Sequence, residues 1–127
     1  MKLLLDTHVI VWWLEGSNKL SKRALGLLSS PKDTILVSAA SAWELAIKVN
    51  LGKINPSFPV NELSNEIEIE SFTELPISLD QAVRAGLLPL HHRDPFDRLL
   101  VAQAQALSVP ILSADRLLDL YDVKRLW

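Results

Sequence analysis

The sequence contains no cysteine, and that absence excludes several kinds of chemistry at once. Without thiols, the chain has no disulfide framework, no thiolate nucleophile and no zinc site built from cysteines. The absence also fits a reducing compartment, where disulfide bonds are rare. We therefore expect the protein in such a compartment, the cytoplasm.

An excess of positive charge is also missing. The 13 Lys and Arg residues are outnumbered by 15 Asp and Glu residues, which gives a formal net charge of −2. A protein that attracts nucleic acid over its whole surface is therefore excluded. Any contact with nucleic acid has to use a local basic patch or a bound metal ion.

Long apolar runs are absent from the start of the chain, where a targeting segment would lie. The longest run there, at 9–14, is far shorter than the ~20 residues that span a bilayer. Asp6 and His8 interrupt the apolar start, and no small-residue cleavage site follows it, which argues against a secretory signal peptide. We therefore expect a soluble protein that does not enter a membrane.

What the chain does contain is a regular alternation of short apolar stretches and amphipathic ones. Its 127 residues fit one domain, spanning 1–127, without internal repeats or linkers. The pattern predicts strands at 3–5, 34–38, 72–77, 109–113 and 123–127. It predicts helices at 8–15, 17–30, 41–51, 60–67, 79–85, 95–107 and 114–121, with Ser21 as a cap of the second helix and Gly86 at the end of the fifth.

The predicted strands are apolar on both faces rather than alternating. Such strands are typical of a parallel sheet whose two faces are both covered by helices. Because strands and helices alternate along the whole chain, the sequence predicts the α/β class.

Acidic residues follow the predicted strands at comparable places. Asp6 comes directly after the first strand, Glu44 is expected in the first turn of the helix after the second, and Asp115 lies two residues beyond a later one. Because carboxyl ends of parallel strands share one edge, these acids are expected at the usual ligand-binding edge. Asp97 is predicted on the apolar half of the longest helix, where an unpaired carboxylate is costly.

Each acid, taken alone, also has an ordinary structural explanation. Asp94 followed by Pro95 is typical of a helix N-cap, and we expect that role for Asp94. The stretch Ser41–Glu44 matches a capping box, and Glu44 can pair with Lys48 four residues later. Asp6, Asp97 and Asp115 can likewise each favour the start of a helix.

Four carboxylates that meet at one edge need a different explanation. Two of them about 4 Å apart repel each other by roughly 4 kcal/mol at an effective dielectric near 20. A domain is stable by only about 5–15 kcal/mol, so such a cluster requires a cation. Hard oxygen ligands without cysteine or histidine suit Mg²⁺ or Mn²⁺.

Four segments of the sequence together resemble PIN-domain proteins, and among these the VapC-type toxins of bacterial toxin–antitoxin pairs. The segments are LLDTH at 4–8, SAWELAIK at 41–48, RDPFDRLLVAQA at 93–104 and LSAD at 112–115. None of them is specific alone. Their order and spacing, which cover almost the whole chain, are specific as a set.

The resemblance implies a three-layer α/β/α sandwich with a central parallel sheet of four to five strands. It also implies a metal-dependent endoribonuclease that hydrolyses RNA phosphodiester bonds, a homodimer, and a VapB-like antitoxin that covers the active site. The residues it identifies as catalytic and as ligands of Mg²⁺ or Mn²⁺ are Asp6, Glu44, Asp97 and Asp115, the last either directly or through water. Thr7 and Ser113 are the matching supporting residues, and Asp94 and Arg98 belong to the pattern of the subgroup.

A negatively charged protein needs a local positive rim to meet RNA. The candidates are Lys48, Lys53, Arg93, Arg98 and Arg116, and for each the alternative is a solvated surface charge.

The histidines and an adjacent pair of tryptophans are given structural expectations. His8 is expected to pack along the first helix, and the loop His91-His92-Arg93 to lie on the surface, within reach of phosphate. Of Trp12 and Trp13, we expect one in the core and one facing outward at an interface.

Three other functions are less well supported by the residues. An aspartyl-phosphate phosphatase needs a second acid two residues after the nucleophile, where this chain has His8. A receiver domain needs an acid pair after the first strand and an aspartate after a central strand, where Ser38 stands. The main alternative is a catalytically inactive PIN-type module that binds RNA or protein, and the complete set of acids favours the enzyme over it.

Overall fold

A parallel sheet of five strands lies at the centre of the computed structural model, which describes all residues, 1–127. The strands are β1 (Lys2–Leu5), β2 (Thr34–Ser38), β3 (Thr73–Leu75), β4 (Ile111–Leu112) and β5 (Arg125–Leu126). Their order in the sheet is β3-β2-β1-β4-β5, and every neighbouring pair is parallel. The predicted α/β class and parallel sheet are confirmed.

Six α-helices connect and cover these strands. They are α1 (Thr7–Leu14), α2 (Lys22–Ser29), α3 (Ala39–Asn50), α4 (Leu63–Ile69), α5 (Leu79–Leu87) and α6 (Pro95–Leu107). Short 3-10 helices lie at Val60–Glu62 and Arg116–Leu120. None of the helices combines the length and apolar character that crossing a membrane requires.

Both faces of the sheet carry a hydrophobic core, because successive strand residues point to opposite sides. In β1, Leu3 and Leu5 are fully buried in a core that includes Val9 of α1. Leu4, between them, is buried in a second core together with Leu100 of α6. This double burial explains why the strands are apolar throughout, and it confirms the three-layer α/β/α arrangement.

The sheet has a switch point between β1 and β4. From β1 it extends through β2 to β3 on one side, and through β4 to β5 on the other. Open α/β sheets bind ligands outside the carboxyl ends of their strands at such a point. Asp6 directly follows β1, and Asp115 follows β4 after two residues, so the topology brings both to this place.

The start of α3 differs from the prediction. The helix begins at Ala39 rather than Ser41, and Ser38 is its N-cap. The Ser38 Oγ accepts a hydrogen bond from a first-turn N–H and donates one to Oε1 of the buried Gln103. The predicted capping box at Ser41–Glu44 is therefore wrong, and Glu44 lies in the second turn. The bond to α6, which is distant in sequence, accounts for the choice of Ser38.

Three other predicted helices also differ from the structure. The helix predicted at 17–30 starts only at Lys22, although Ser21 caps it as expected. Gly86 was predicted to end a helix but lies within α5. Unlike Gly16 and Gly52, it does not have the positive φ that is typical of a glycine at a helix end. The helix predicted at 114–121 is a shorter 3-10 helix.

Trp12 and Trp13 are both half-buried, so the expectation of one inward and one outward tryptophan is wrong. The Trp12 ring lies 5.9 Å from that of Trp127, and the Trp13 ring lies 6.2 Å from that of Phe72. Both partners are distant in sequence, so the local pattern of α1 does not reveal them.

Candidate metal centre

Three of the predicted acids line one cleft at the carboxyl edge of the sheet. Asp6, Asp97 and Asp115 surround a space of about 280 Å³, together with His8, Trp12 and Ala114. They come from the end of β1, the first turn of α6 and the segment after β4. The sheet topology and the start of α6 thus bring acids from three distant parts of the sequence together.

Asp6 is nearly completely buried, with 5% of its surface exposed. Although it stands at the N-cap position of α1, its side chain makes no capping hydrogen bond. Its Oδ2 instead accepts a hydrogen bond of 2.5 Å from the Ser113 Oγ. Capping therefore does not explain Asp6.

Asp115 has two roles in its surroundings. Its Oδ1 accepts a hydrogen bond from the N–H of Leu117 and so caps the 3-10 helix, while its Oδ2 lies 2.7 Å from Nε2 of His92. The Ser113 Oγ accepts a bond of 3.0 Å from the Asp115 N–H. Ser113 therefore makes hydrogen bonds to both Asp6 and Asp115.

Thr7 makes no hydrogen bond to an acid. Its Oγ1 donates to the Oγ of Ser41 at 2.9 Å, and both residues are buried. This bond joins α1 to α3 directly beside Asp6 and Glu44. Thr7 thus supports the elements that carry the acids rather than the acids themselves.

Glu44 is buried, and its two carboxylate oxygens differ. Oε2 lies 2.7 Å from the Nζ of Lys48, which confirms the expected pair and raises the pKa of that lysine. Oε1 is buried without any hydrogen-bond partner. The negative charge of Glu44 raises the pKa values of both Asp6 and Asp97, so it acts on the same centre although it does not line the cleft.

Asp97 has the most perturbed carboxyl of the centre. Burial, and then the negative charges of Asp6, Asp94, Glu44 and Asp115, raise its pKa to about 8. The pKa of Asp6 is also raised, mainly by burial, against the opposing effect of the Ser113 hydrogen bond. Without a cation, the cluster therefore disfavours the charged form of its own acids.

His92 joins this centre, and the prediction of a plain surface loop is wrong for it. Its Nε2 lies 2.7 Å from Oδ2 of Asp115 and 3.1 Å from Oδ2 of Asp97. Its Nδ1 accepts a hydrogen bond from the N–H of Asp94, which leaves the ring proton on Nε2 to be donated to the carboxylates. Nothing but its position ahead of Asp97 hinted at this role. His91, in contrast, is exposed as expected.

The remaining loop residues, and the basic residues expected to contact RNA, differ in their partners and exposure. Asp94 caps α6 as expected, through a bond of 2.8 Å from the N–H of Phe96. Arg98 donates from Nη1 to the carbonyls of His92 and Arg93, so it holds the loop. Lys48 is paired with Glu44, whereas the side chains of Lys53, Arg93 and Arg116 are exposed. His8 is exposed too, with its ring 5.8 Å from that of Trp12.

The donor atoms of this centre fit a divalent cation. One nitrogen or oxygen each from His92, Asp97 and Asp115 lie within 4.8 Å of one another, with Asp6 in the same cleft. The unpartnered Oε1 of Glu44 and the raised pKa of Asp97 indicate negative charge that the protein itself does not neutralise. Carboxylate oxygens are the preferred ligands of hard divalent ions such as Mg²⁺ and Mn²⁺.

Comparisons with known proteins agree with this architecture. The family model of the PIN domain matches residues 3–124. Among solved structures, the chain is similar to VapBC2 from Rickettsia felis, with a TM-score of 0.70 and 16% identity over 99% of this chain and 98% of that one. It is also similar to VapBC-1 from nontypeable Haemophilus influenzae (TM-score 0.67, 18% identity, 99% and 97% covered).

A third similar structure is FitAcB from Neisseria gonorrhoeae, with a TM-score of 0.65 and 19% identity over 98% of this chain and 96% of that one. At these identities the likeness concerns the fold. No curated protein matches the chain in sequence.

Proposed function

The chain belongs to the PIN domain family, and from this premise we propose that it is a metal-dependent endoribonuclease. In this proposal residues 1–127 act as one PIN domain, which serves as the toxin of a VapBC-type toxin–antitoxin pair. The observation that carries the proposal is the convergence of Asp6, Asp97 and Asp115 in one cleft, where the pKa of Asp97 is raised to about 8. Strongly perturbed acids in a cleft are typical of functional sites.

The residues that would hold the cation are Asp6, Glu44, Asp97 and Asp115. A divalent ion held there, Mg²⁺ or Mn²⁺, would supply charge neutralisation at the phosphate and would lower the pKa of a water molecule. Hydrolysis then joins a water oxygen to phosphorus and releases one ester oxygen, which takes up a proton.

Neighbouring side chains orient the acids and offset part of their charge. The Ser113 Oγ orients Asp6 through a hydrogen bond of 2.5 Å and also accepts one from the backbone of Asp115. Lys48 offsets part of the charge of Glu44. With a pKa of about 8, Asp97 would hold a proton near neutral pH, and would have to lose that proton to act as a ligand of a cation.

A single RNA strand is the proposed substrate. Among the basic residues expected to meet it, Lys53, Arg93 and Arg116 are exposed, whereas Lys48 and Arg98 already have partners in the protein. The exposed arginines offer planar donors that match phosphate oxygens. Lys48 and Arg98 would then act on RNA mainly through their charge.

A VapB-like antitoxin is the proposed protein partner. The support is the fold likeness to the VapBC structures from Rickettsia felis and Haemophilus influenzae, over nearly the whole of both chains. We propose that the antitoxin covers the acidic cleft and so blocks access of RNA to it.

A second copy of the chain is also proposed as a partner. Leu79, Val83 and Leu87 follow one another at intervals of four residues on α5, and are 83%, 56% and 81% exposed. Leu90, which follows the helix in the chain, is 73% exposed as well. Contiguous exposed apolar patches mark interaction surfaces, and a stripe on one helix can pair with its own copy about a two-fold axis.

Cleavage of a fluorescently labelled single-stranded RNA by the purified chain tests the proposed activity. We expect cleavage with Mg²⁺ or Mn²⁺, none with EDTA, and a loss of at least about 100-fold in Asp97→Asn. Asp122→Asn is the matched control, because Asp122 is exposed and its side chain makes no hydrogen bond or ion pair. Full activity of Asp97→Asn would show that the site is wrongly assigned.

One observation favours the alternative of a catalytically inactive binding module. The Nε2 of His92 already engages Asp97 and Asp115, so two of the acids have a partner without any cation. An inactive module would show neither RNA cleavage nor a rise in melting temperature with Mg²⁺ or Mn²⁺. Thermal melts with and without these ions therefore separate the two functions.

A further inference from the structure

Three arginines and a tryptophan surround a pocket beside the acidic cleft. Arg23 of α2, Arg116 of the second 3-10 helix, Arg125 of β5 and Trp127 line a space of about 450 Å³. They come from distant parts of a chain whose formal net charge is −2. We call this group the arginine pocket.

The charges of the arginine pocket are only partly neutralised. Arg125 binds both carboxylate oxygens of Asp119, at 2.8 and 3.0 Å, and donates to the carbonyl of Ser113. Arg23 and Arg116 are exposed and make no hydrogen bond or ion pair with other residues of the protein. Two guanidinium groups are thus available to a ligand, while the third fixes the wall of the pocket.

The arginine pocket adjoins the acidic cleft. Ala114 lines both spaces. The rings of Trp127, in the pocket, and Trp12, in the cleft, lie 5.9 Å apart. An extended ligand that reaches from the pocket to the acids would therefore pass beside these two half-buried rings.

The same path continues on the far side of the cleft. Trp12 and His8 also line a groove of about 320 Å³, to which Lys19 and Lys48 contribute. The Nζ of Lys19 lies 5.9 Å from the centre of the Trp12 ring. Positive charge thus flanks the acidic centre at both ends, and aromatic rings lie between.

This spatial arrangement of cationic and aromatic groups matches the chemistry of a single nucleic-acid strand. Guanidinium groups bind phosphate oxygens in a bidentate manner. Aromatic side chains stack on unpaired bases, and grooves that combine both features bind single strands. An acidic peptide offers carboxylates to the arginines, but it does not account for the two half-buried tryptophan rings that lie between the pocket and the acidic cleft.

We propose that the arginine pocket binds a phosphate of single-stranded RNA beyond the bond that lies in the acidic cleft, with the adjacent base stacked on Trp127. This inference rests on the proposed ribonuclease function, because it extends the substrate site of that function. Arg23 and Arg116 supply the phosphate contacts, and Arg125 positions the wall through Asp119.

Fluorescence anisotropy with a labelled single-stranded RNA tests the binding step on the full chain in EDTA, where cleavage is excluded. The test variant is Arg23→Gln/Arg116→Gln. We expect an affinity at least about 10-fold lower, and a salt dependence whose logarithmic slope falls by about 1.4 for two lost phosphate contacts. Lys22→Gln/Lys32→Gln removes the same charge from exposed residues outside the pocket, and should keep both quantities close to those of the parent.

A cleavage assay with Mg²⁺ separates this inference from the function on which it rests. With long RNA the double arginine variant should raise KM and keep kcat, whereas a dinucleotide too short to reach the pocket should be cleaved as by the parent. The parent could bind RNA with an affinity that depends on Arg23 and Arg116 and yet fail to cleave it. That result would support the pocket as an RNA-binding site and would contradict the proposed ribonuclease activity.

Unchanged RNA affinity and salt slope in Arg23→Gln/Arg116→Gln, with an active parent, would overturn the pocket alone. Binding of the two arginines to carboxylates of a protein partner would then be the better explanation of the pocket. Because both arginines are exposed and neither makes a hydrogen bond or ion pair, we expect the variant to keep a melting temperature close to that of the parent.

Discussion

Burial and the neighbouring carboxylates both raise the pKa of Asp97, and the stability of the folded state therefore depends on pH. An aspartate has an ordinary pKa near 3.8, and here the folded state raises it to about 8. Between these values the folded state binds a proton that the unfolded state has lost, so stability falls as pH rises. Each unit of pKa shift corresponds to about 1.4 kcal/mol, so the total is on the order of a few kcal/mol.

We therefore expect the free energy of unfolding of the metal-free protein to decrease from about pH 5 to about pH 8. Asp97→Asn should flatten this dependence and be at least as stable as the parent at the upper end. Saturating Mg²⁺ should flatten it as well, because a cation favours the ionised carboxylate. Urea unfolding at several pH values measures this, and stability that rises toward pH 8 would contradict the account.

Ser113 is expected to matter for both stability and cation affinity. Ser113→Ala removes the hydrogen bond to Asp6 and the one from the Asp115 N–H. Loss of buried hydrogen bonds costs roughly 1–2 kcal/mol, and loss of a group that orients a metal ligand costs about 10–100-fold in affinity. Urea unfolding and Mn²⁺ titration measure the two effects.

Ser29→Ala is the control for Ser113→Ala, because Ser29 is exposed at the end of α2. It should leave stability and affinity nearly unchanged. Unaltered Mn²⁺ affinity in Ser113→Ala would mean that Ser113 does not orient the ligands.

Among single residues, the sequence predicted those whose position follows from a strand end. Asp6 and Asp115 line one cleft because β1 and β4 are parallel neighbours; the apolar runs indicate the parallel sheet, but not which strands are adjacent. The site role of His92 was not predicted, because its partner Asp115 lies 23 positions later and is reached through a loop. The lack of a side-chain cap at Asp6 depends on Ser113, which is 107 positions away.

At the scale of elements, buried Gln103 links three segments to α6. Its Oε1 accepts from the N-cap Ser38 of α3, and its Nε2 donates to the carbonyl of Pro76 and to Gln81 of α5. We expect Gln103→Ala to cost about 2–3 kcal/mol, because it leaves a cavity and unpaired polar groups. Urea unfolding checks this value.

Gln105→Ala, two positions along the same helix, is the matched control. Gln105 is only partly buried and has one long contact of 3.5 Å to the carbonyl of Asp122. Its loss should cost less than about 0.5 kcal/mol. Equal effects of the two substitutions would show that Gln103 does not hold these elements together.

Element boundaries were predicted best where local chemistry decides them. The helix predicted at 95–107 is observed as Pro95–Leu107, because Asp94 caps it and proline suits its first position. The strand predicted at 34–38 is observed as Thr34–Ser38. The start of α3 was missed because Ser38 and Ser41 are both suitable caps, and only the distant Gln103 distinguishes them.

At the scale of the whole molecule, the exposed stripe of α5 predicts the oligomeric state. Leu79→Glu/Leu87→Glu places charges where we expect a second copy to pack, so the dimer should dissociate into chains of 14.2 kDa. Leu25→Glu/Leu51→Glu changes exposed leucines outside the stripe and should remain dimeric. Size-exclusion chromatography with light scattering measures the mass, and a dimer that persists in the first variant would contradict this interface.

Acidic and basic groups lie side by side near the switch point of the sheet. The acids collect at the switch point of the sheet, and the arginine pocket lies beside them. A net charge of −2 conceals this division, which arises only when the chain folds. The cation site proposed for these acids is therefore a property of the folded chain and not of any one segment.

Isothermal titration calorimetry with Mn²⁺ tests this claim most directly, at about pH 7 in two buffers with different ionisation enthalpies. The parent should bind the ion and release about one proton, because Asp97 with a pKa of about 8 must ionise to bind it. Asp97→Asn should lose the proton release and most of the affinity, while Asp122→Asn keeps both. Absence of binding in the parent, or the same binding and proton release in Asp97→Asn, would contradict the account.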